Sequence, residues 1–176
     1  MTVIWITGLS GAGKTILSNA TKDLLRQNGK FVIQLDGDEV RSTVNFELGY
    51  SAEDRRKHVV RIQNMAKLIS KQEAIVIVSA LYFDKGIGEW NRVNFDRYIE
   101  VYIDASLGLL EKRDQKKLYS RFISKEINNV IGLDIPYSPP TEPHIYFSAD
   151  EKIEPRRMAL HIYNTLKDYV GITNAD

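Results

Sequence analysis

The chain has 176 residues, 43% hydrophobic and 27% charged, with a formal net charge of +1 at pH 7; this suits one folded domain with its own core and gives no global reason to bind nucleic acid or an anionic membrane surface. It contains no cysteine, which excludes disulfides, thiolate metal sites and a thiol nucleophile. No apolar run approaches the ~20 residues that span a bilayer, and no basic leader with an apolar segment precedes the first strand, so the expectation is a cytoplasmic protein.

Short apolar runs alternate with longer segments of helical periodicity. The first run, 3–7, leads into Gly8-Leu9-Ser10-Gly11-Ala12-Gly13-Lys14-Thr15, and a helix is predicted over 14–27, with Leu17, Ala20 and Leu24 at helical spacing. A strand at 31–35 ends in Asp36-Gly37-Asp38-Glu39-Val40-Arg41. A helix over 52–71 carries the stripe Val59, Ile62, Ala66, Ile69. The run 74–79 is continuous and β-branched, as in a strand covered on both faces. Residues 82–94, with Gly86, Gly88 and Trp90, read as irregular. A strand at 98–104 precedes a basic helix with Lys112, Arg113, Lys116, Lys117, Arg121 and Lys125. Residues 128–143 hold Gly132 and four of the five prolines and read as a long loop. A strand at 144–148 and a helix at 151–169 follow; the helix has Asp150 as N-cap, Pro155 in its first turn and the stripe Met158, Ile162, Leu166, Tyr169. This alternation predicts an α/β fold with a mainly parallel five-stranded sheet and helices on both faces. With no repeat or interdomain linker, residues 1–176 are expected to form one domain.

The octapeptide 8–15 carries the clearest chemistry. Strand, glycine-rich turn and helix is the setting of a phosphate-binding P-loop. Gly8, Gly11 and Gly13 let the backbone approach a phosphate without a Cβ in the way. The amides of Ser10 and Ala12 then join the helix N-terminus in an anion cradle. Lys14 can reach β- and γ-phosphates, and Thr15 can place its hydroxyl on Mg²⁺. A glycine-rich turn with no ligand is the bland alternative, against which motif and context agree.

Asp36, Asp38 and Arg41 leave a strand at the sheet edge where ligands bind in such folds. One carboxylate can take the proton of an attacking hydroxyl or hold Mg²⁺ through water, and the arginine can pair with a phosphate. Helix capping and a solvated ion pair are the competing explanation. Arg55 and His58 share a helix face; Arg41 and Arg55 could clamp an anionic acceptor that His58 hydrogen-bonds. Arg56, Lys57 and Arg61 read as a solvated face. The basic helix after 98–104 could close over the phosphates as a lid and exclude water, or be an ordinary charged surface.

These residues resemble the adenylylsulfate kinase family. The resemblance rests on 8–15, on Leu35-Asp36-Gly37-Asp38-Glu39-Val40-Arg41, on Leu48-Gly49-Tyr50-Ser51 with Glu53-Asp54-Arg55, on Glu100-Val101-Tyr102-Ile103-Asp104 with Arg113-Asp114 and Leu118-Tyr119, and on Ile131-Gly132-Leu133-Asp134-Ile135-Pro136-Tyr137. It implies a P-loop kinase fold with a lid at about 112–135, and transfer of the ATP γ-phosphate to the ribose 3′-hydroxyl of a nucleotide with a modified 5′-phosphate. It implies ATP and Mg²⁺ as cofactors and a dimer as the assembly. By family position, Asp38 is the base or Mg²⁺-associated acid, Lys14 stabilises the transferred group, Thr15 holds Mg²⁺, and Arg113 adds to the ATP site. The acceptor side comprises Asp36, Arg41, Tyr50 (stacking on the base), Arg55, His58, Tyr82, Lys85, Asn128 and Val130.

Departures from the family pattern fall around the acceptor. Tyr82 stands for a serine, Lys85 for an arginine, His58 for an asparagine, Val60 for the first of two paired arginines, and Asn128-Asn129-Val130 for Lys-Gly-Phe. Lysine keeps charge without the bidentate fork, and Val130 removes an aromatic face from the base site. The expectation drawn from this is a related acceptor with a smaller base, cytidine diphosphoramidate, as in capsule phosphoramidate synthesis. The alternatives are adenylylsulfate itself and, in another class, a P-loop switch that transfers nothing to an acceptor.

Overall fold

The computed structural model describes residues 1–44, 46–114 and 117–170. Five parallel strands, β1 (Thr2–Thr7), β2 (Val32–Asp36), β3 (Ile75–Ala80), β4 (Arg97–Asp104) and β5 (Ile145–Ser148), lie in the order β2-β3-β1-β4-β5. Between them run α1 (Lys14–Gln27), α2 (Gly37–Thr43), α3 (Ala52–Ser70), α4 (Lys85–Asn94), α5 (Leu107–Arg113) and α6 (Leu118–Ile123), and α7 (Pro155–Val170) closes the chain after β5. The expected fold class holds.

Alternation along the strands builds two cores. On one face Ile4, Ile6, Val101 and Ile103 pack against Leu17 and Leu25 of α1, Leu110 of α5 and Ile162 and Leu166 of α7. On the other, Val3, Trp5, Val76 and Val78 meet Val59, Ile62 and Ala66 of α3 and Ile87 of α4. In β1 and β3, positions 3–6 and 75–78 are apolar on both faces, which is why these runs are continuous rather than alternating. The chain leaves β1 toward β2 on one side and β3 toward β4 on the other. The crevice at the carboxyl ends of β1 and β3 is therefore the switch point where such sheets take ligands.

Four expectations are corrected. Residues 82–94 are not irregular: α4 fills most of them, capped by Asp84, whose Oδ1 accepts from the Ile87 amide at 2.8 Å. Gly88 reads as a loop residue, but packing demands it, because a Cβ there would lie 2.8 Å from the Phe83 ring. Asp150 does not cap the last helix. It sits in a 3-10 turn and accepts from the Ser106 amide at 3.0 Å and hydroxyl at 2.7 Å. The helix starts at Pro155, whose missing N–H suits a first helical position. The basic segment after β4 is two short helices, not one: the Asp114 carboxylate ends the run and accepts from the amides of Tyr119 at 2.9 Å and Ser120 at 3.1 Å. Lys116 lies outside the described residues. The loop 128–143 is irregular as expected, and Ile131 and Ile135 form an isolated bridge within it. Among the described residues, no helix is long and apolar enough to cross a membrane.

A buried polar chain ties α3, α4 and β4 together. Gln63 donates to Asn91 Oδ1 at 2.8 Å, Asn91 to the Tyr98 hydroxyl at 3.0 Å, and Tyr98 to Glu100 Oε1 at 2.7 Å. Arg92 donates to Glu100 Oε2 at 2.7 Å. Burial and the adjacent Glu100 carboxylate push the Tyr98 hydroxyl well above its ordinary pKa, so it remains a donor. Glu100 is fully buried while Arg92 reaches solvent, so removing the arginine strands a carboxylate in the core. Arg92→Ala is expected to cost about 2–3 kcal/mol in urea unfolding. Glu100→Gln, which keeps the shape and removes the charge, is expected to stay within about 1 kcal/mol of the parent chain.

Candidate active site

The P-loop is held by close backbone approach. Gly8, Gly11 and Gly13 have φ of 149°, 83° and 108°. A Cβ on Gly8 would lie 2.4 Å from the Ile103 carbonyl oxygen, so only glycine lets the loop cross the end of β4. Helix α1 begins with Gly13 as N-cap, no side chain capping it and no acid in its first turn, which leaves its amides to an incoming anion. Lys14 Nζ donates to the carbonyls of Gly8 at 2.8 Å and Leu9 at 2.9 Å. Arg113 donates to the Gly11 carbonyl at 3.0 Å, and the Tyr119 hydroxyl to the Ser10 carbonyl at 3.0 Å. Thus α5 and α6 are moored to the outer side of the loop. Burial and the neighbouring Asp114 and Glu111 push the Tyr119 hydroxyl up to about 12.

The two acids of the second motif separate. Asp36 turns toward the P-loop. Its Oδ2 accepts from Thr15 Oγ1 and from Ser79 Oγ, each at 2.9 Å, and its Oδ1 caps α2 by accepting from the Asp38 amide at 2.9 Å. Strand β2 is separated from β1 by β3, and the Asp36 carboxylate extends across β3 to the P-loop helix while lining the same cleft as Arg41, Tyr50 and Arg55. Asp38 stands in the first turn of α2 and faces the arginines.

Arg41 donates to the Gly49 carbonyl at 2.6 Å, and Arg55 to the carbonyls of Tyr50 at 2.9 Å and Asn129 at 2.7 Å. Their guanidinium carbons lie 5.0 and 5.3 Å from the Tyr50 ring centroid, cation–π distances. Burial lowers the pKa of both, and Arg41 lowers that of Arg55 further. Guanidinium stays charged regardless. Neither forms an ion pair with a carboxylate among the described residues. By contrast Arg56 pairs with Asp84, Lys57 with Glu53 and Arg61 with Glu47, the solvated face expected of them.

His58 is buried, and its Nε2 lies 3.0 Å from the Gly37 carbonyl, a contact that requires a proton on that nitrogen. Burial, with Arg41 nearby, lowers its pKa to about 4. It is a neutral tie between α3 and α2 at the edge of the cleft.

A cleft of about 390 Å³ joins these groups, from Tyr50, Arg55 and Tyr82 past the P-loop to Arg113 and Met158. Three expected acceptor residues do not line it. The Lys85 side chain is 90% exposed and pairs with Glu89 at 3.6 Å, because α4 starts there and carries it outward. Val130 is buried, its amide donating to Asp134 Oδ1 at 2.6 Å. Asn128 Oδ1 accepts from the Asn129 side chain at 2.9 Å. This segment meets Arg55 through the Asn129 carbonyl. Conversely, Ser79, Leu110, Tyr119, Ile153 and Met158 line the cleft without having been expected. Ile153 and Met158 follow β5, so the carboxyl-edge rule is the signal that would have found them.

Among the described residues no cluster of three or more acidic or histidine side chains could hold a metal alone. Thr15 and the Asp36 carboxylate fit Mg²⁺, which takes few protein oxygens and the rest from phosphates and water.

A parallel sheet with a P-loop at its switch point, facing an acid and two arginines across one cleft, defines a P-loop kinase. The chain belongs to the adenylylsulphate kinase family, whose model matches residues 1–148. It is similar to an adenylyl-sulfate kinase of Rippkaea orientalis, 40% identical over 147 residues, 84% of this chain and 81% of the relative. An adenylyl-sulfate kinase of Halothermothrix orenii is 34% identical over 170 residues, 96% of this chain and 92% of its own. The Mycobacterium tuberculosis APS kinase CysC, solved in complex with AMPPNP and APS, superposes with a TM-score of 0.88 at 28% identity, covering 94% of this chain and 97% of the other. The chain is accordingly an ATP- and Mg²⁺-dependent phosphotransferase with an alcohol group as acceptor, and the switch that transfers nothing is set aside.

The His58 environment sets a pH dependence. In the unfolded chain its imidazole binds a proton below about 6.5, whereas in the folded chain it does so only near 4, so acid favours unfolding between these values. His58→Asn is expected to lose less stability than the parent chain between pH 6.5 and 4, with no difference in pH dependence above 7, in urea unfolding followed against pH.

Proposed function

We propose that this chain transfers the γ-phosphoryl group of ATP to the ribose 3′-hydroxyl of adenylylsulfate, acting as one cytoplasmic kinase domain with residues 112–135 as its lid and two copies in the assembly. The observation that carries this is the single cleft joining a P-loop to Arg41 and Arg55, with Asp38 at the first turn of α2 beside them. The names of the relatives support adenylylsulfate over the cytidine nucleotide suggested by the acceptor-side departures.

In this reading the ATP phosphates lie on the P-loop amides, and Lys14 exchanges the carbonyls of Gly8 and Leu9 for the transferred group. Thr15 and Asp36 would hold Mg²⁺, which would neutralise phosphate charge during the transfer. Asp38 accepts the proton of the attacking 3′-hydroxyl. Arg41 and Arg55 exchange neutral carbonyl partners for the acceptor's 5′ anion, a charge-assisted and stronger bond. Tyr50, held by both guanidiniums, offers its ring to the base.

One observation favours a second reading with cytidine diphosphoramidate as acceptor. Val130 is buried away from the cleft, so an aromatic partner for a purine is missing opposite Tyr50 at that position. ADP release from Mg²⁺-ATP, measured against adenylylsulfate, cytidine diphosphoramidate, CDP and AMP, separates the two. A highest kcat/KM for adenylylsulfate is expected; a clear preference for the cytidine compound overturns the first reading and supports the second. Asp38→Ala is expected to lower turnover about 10²–10⁴-fold while ATP still binds. Unchanged turnover would remove Asp38 from its role.

A further inference from the structure

Strands β3 and β4 flank β1; β4 ends in Asp104, whose carboxylate accepts from the Tyr102 and Tyr146 hydroxyls, and β3 is the strand that lies between β1 and β2. The carboxyl end of β3 holds Ser79 and Ala80, and no acid. The acid comes instead from Asp36 on β2, the next strand out, whose register partner is Ser79. Adjacent strands are about 4.8 Å apart, so the Asp36 side chain has to extend over β3 to meet the P-loop helix. It does so over the Ser79 hydroxyl. Ser79 Oγ and Thr15 Oγ1 both donate to Asp36 Oδ2 at 2.9 Å, and the Asp38 amide holds Oδ1 at 2.9 Å. Three donors from three elements fix where this carboxylate sits and how its plane is turned. Ser79 is 3% exposed and Asp36 8%, so little water competes for these bonds.

We propose that Ser79 is a positioning residue for the metal of phosphoryl transfer: from the strand beside the P-loop it lends a hydroxyl, not a carboxylate, and so presents Asp36 of the outer strand to a divalent cation held by Thr15. The proposal rests on the P-loop reading and not on the identity of the acceptor. Because an outer-sphere partner acts on metal affinity, its loss is felt as a weaker cation site. A hydroxyl that merely fills a buried polar position would change melting and nucleotide affinity alike, with or without metal.

Binding of the non-hydrolysable analogue AMPPNP is measured by calorimetry at increasing Mg²⁺ and again in EDTA, for the parent chain, Ser79→Ala and Ser79→Thr. Ser79→Ala is expected to raise the Mg²⁺ concentration for half-maximal tight binding about tenfold. Its affinity in EDTA should match that of the parent chain, and Ser79→Thr, which keeps the hydroxyl, should restore the Mg²⁺ dependence. An unmoved Mg²⁺ dependence in Ser79→Ala, or an equal loss with and without Mg²⁺, overturns the proposal. If Ser79→Ala does not fold, Ser79→Cys replaces it; its weak donor should give a shift in the same direction, and no shift overturns the proposal. Failure of the parent chain itself to bind AMPPNP overturns the P-loop reading along with this one. A cytidine acceptor in the turnover assay would leave the Ser79 result standing.

Discussion

The carboxylate of Asp36 joins the two halves of the cleft. One oxygen takes the hydroxyls of Thr15 in α1 and Ser79 in β3, and the other caps α2, the helix that carries Asp38 and Arg41. The distance between the phosphate cradle and the acid facing the arginines is therefore set by one side chain with no freedom to rotate. A loop-borne acid would add its own fluctuation to the separation of donor and acceptor. Here the strand end, the helix cap and the P-loop helix share a reference point, and misplacement by about 1 Å is costly for a transfer that depends on positioning.

Both ends of the cleft are closed by the protein's own carbonyl oxygens. Lys14 rests on Gly8 and Leu9, and Arg41 and Arg55 rest on Gly49, Tyr50 and Asn129. Carbonyls satisfy buried cations without cancelling their charge. An arriving phosphate or sulfate thus displaces neutral partners and gains the full field of the guanidinium or ammonium. A carboxylate in the same place would have to be expelled as an ion. The solvated face of α3 shows the contrast, since Arg56, Lys57 and Arg61 each have an acidic partner and none lines the cleft.

Much of this was legible in the sequence because the physics leaves a local mark. A P-loop needs positive φ and backbone contact, which only glycine supplies, so Gly8, Gly11 and Gly13 are written openly. A strand covered on both faces is apolar at successive positions, so the run 75–78 marks a strand, expected at 74–79 and found at Ile75–Ala80. The illegible parts depend on distant partners. Asp36 and Asp38 look equivalent on either side of Gly37, and their division follows from Thr15 and Ser79, 21 and 43 residues away from Asp36. Gly86 and Gly88 mimic a loop because the reason for Gly88 is the Phe83 ring rather than a turn. Lys85 sits at the right chain position for an acceptor contact, yet the start of α4 decides where it points. Val130 is withdrawn from the cleft by the Asp134 carboxylate, a clamp within the loop that composition does not reveal.

Met158 belongs at once to the larger core and to the wall of the cleft. It lies in the first turns of α7, a helix that otherwise holds on through Ile162 and Leu166 against α1 and the sheet. Any ligand filling that end of the cleft covers the free flank of Met158 and so adds its binding energy to the seating of the last helix. At a hundred times its dissociation constant such a ligand contributes about 2.7 kcal/mol to the folded state. The last helix is in this sense coupled to occupancy of the cleft through Met158. Its resistance to fraying, and with it the lifetime of the protein in a proteolytic environment, rises and falls with the supply of the molecule the enzyme consumes.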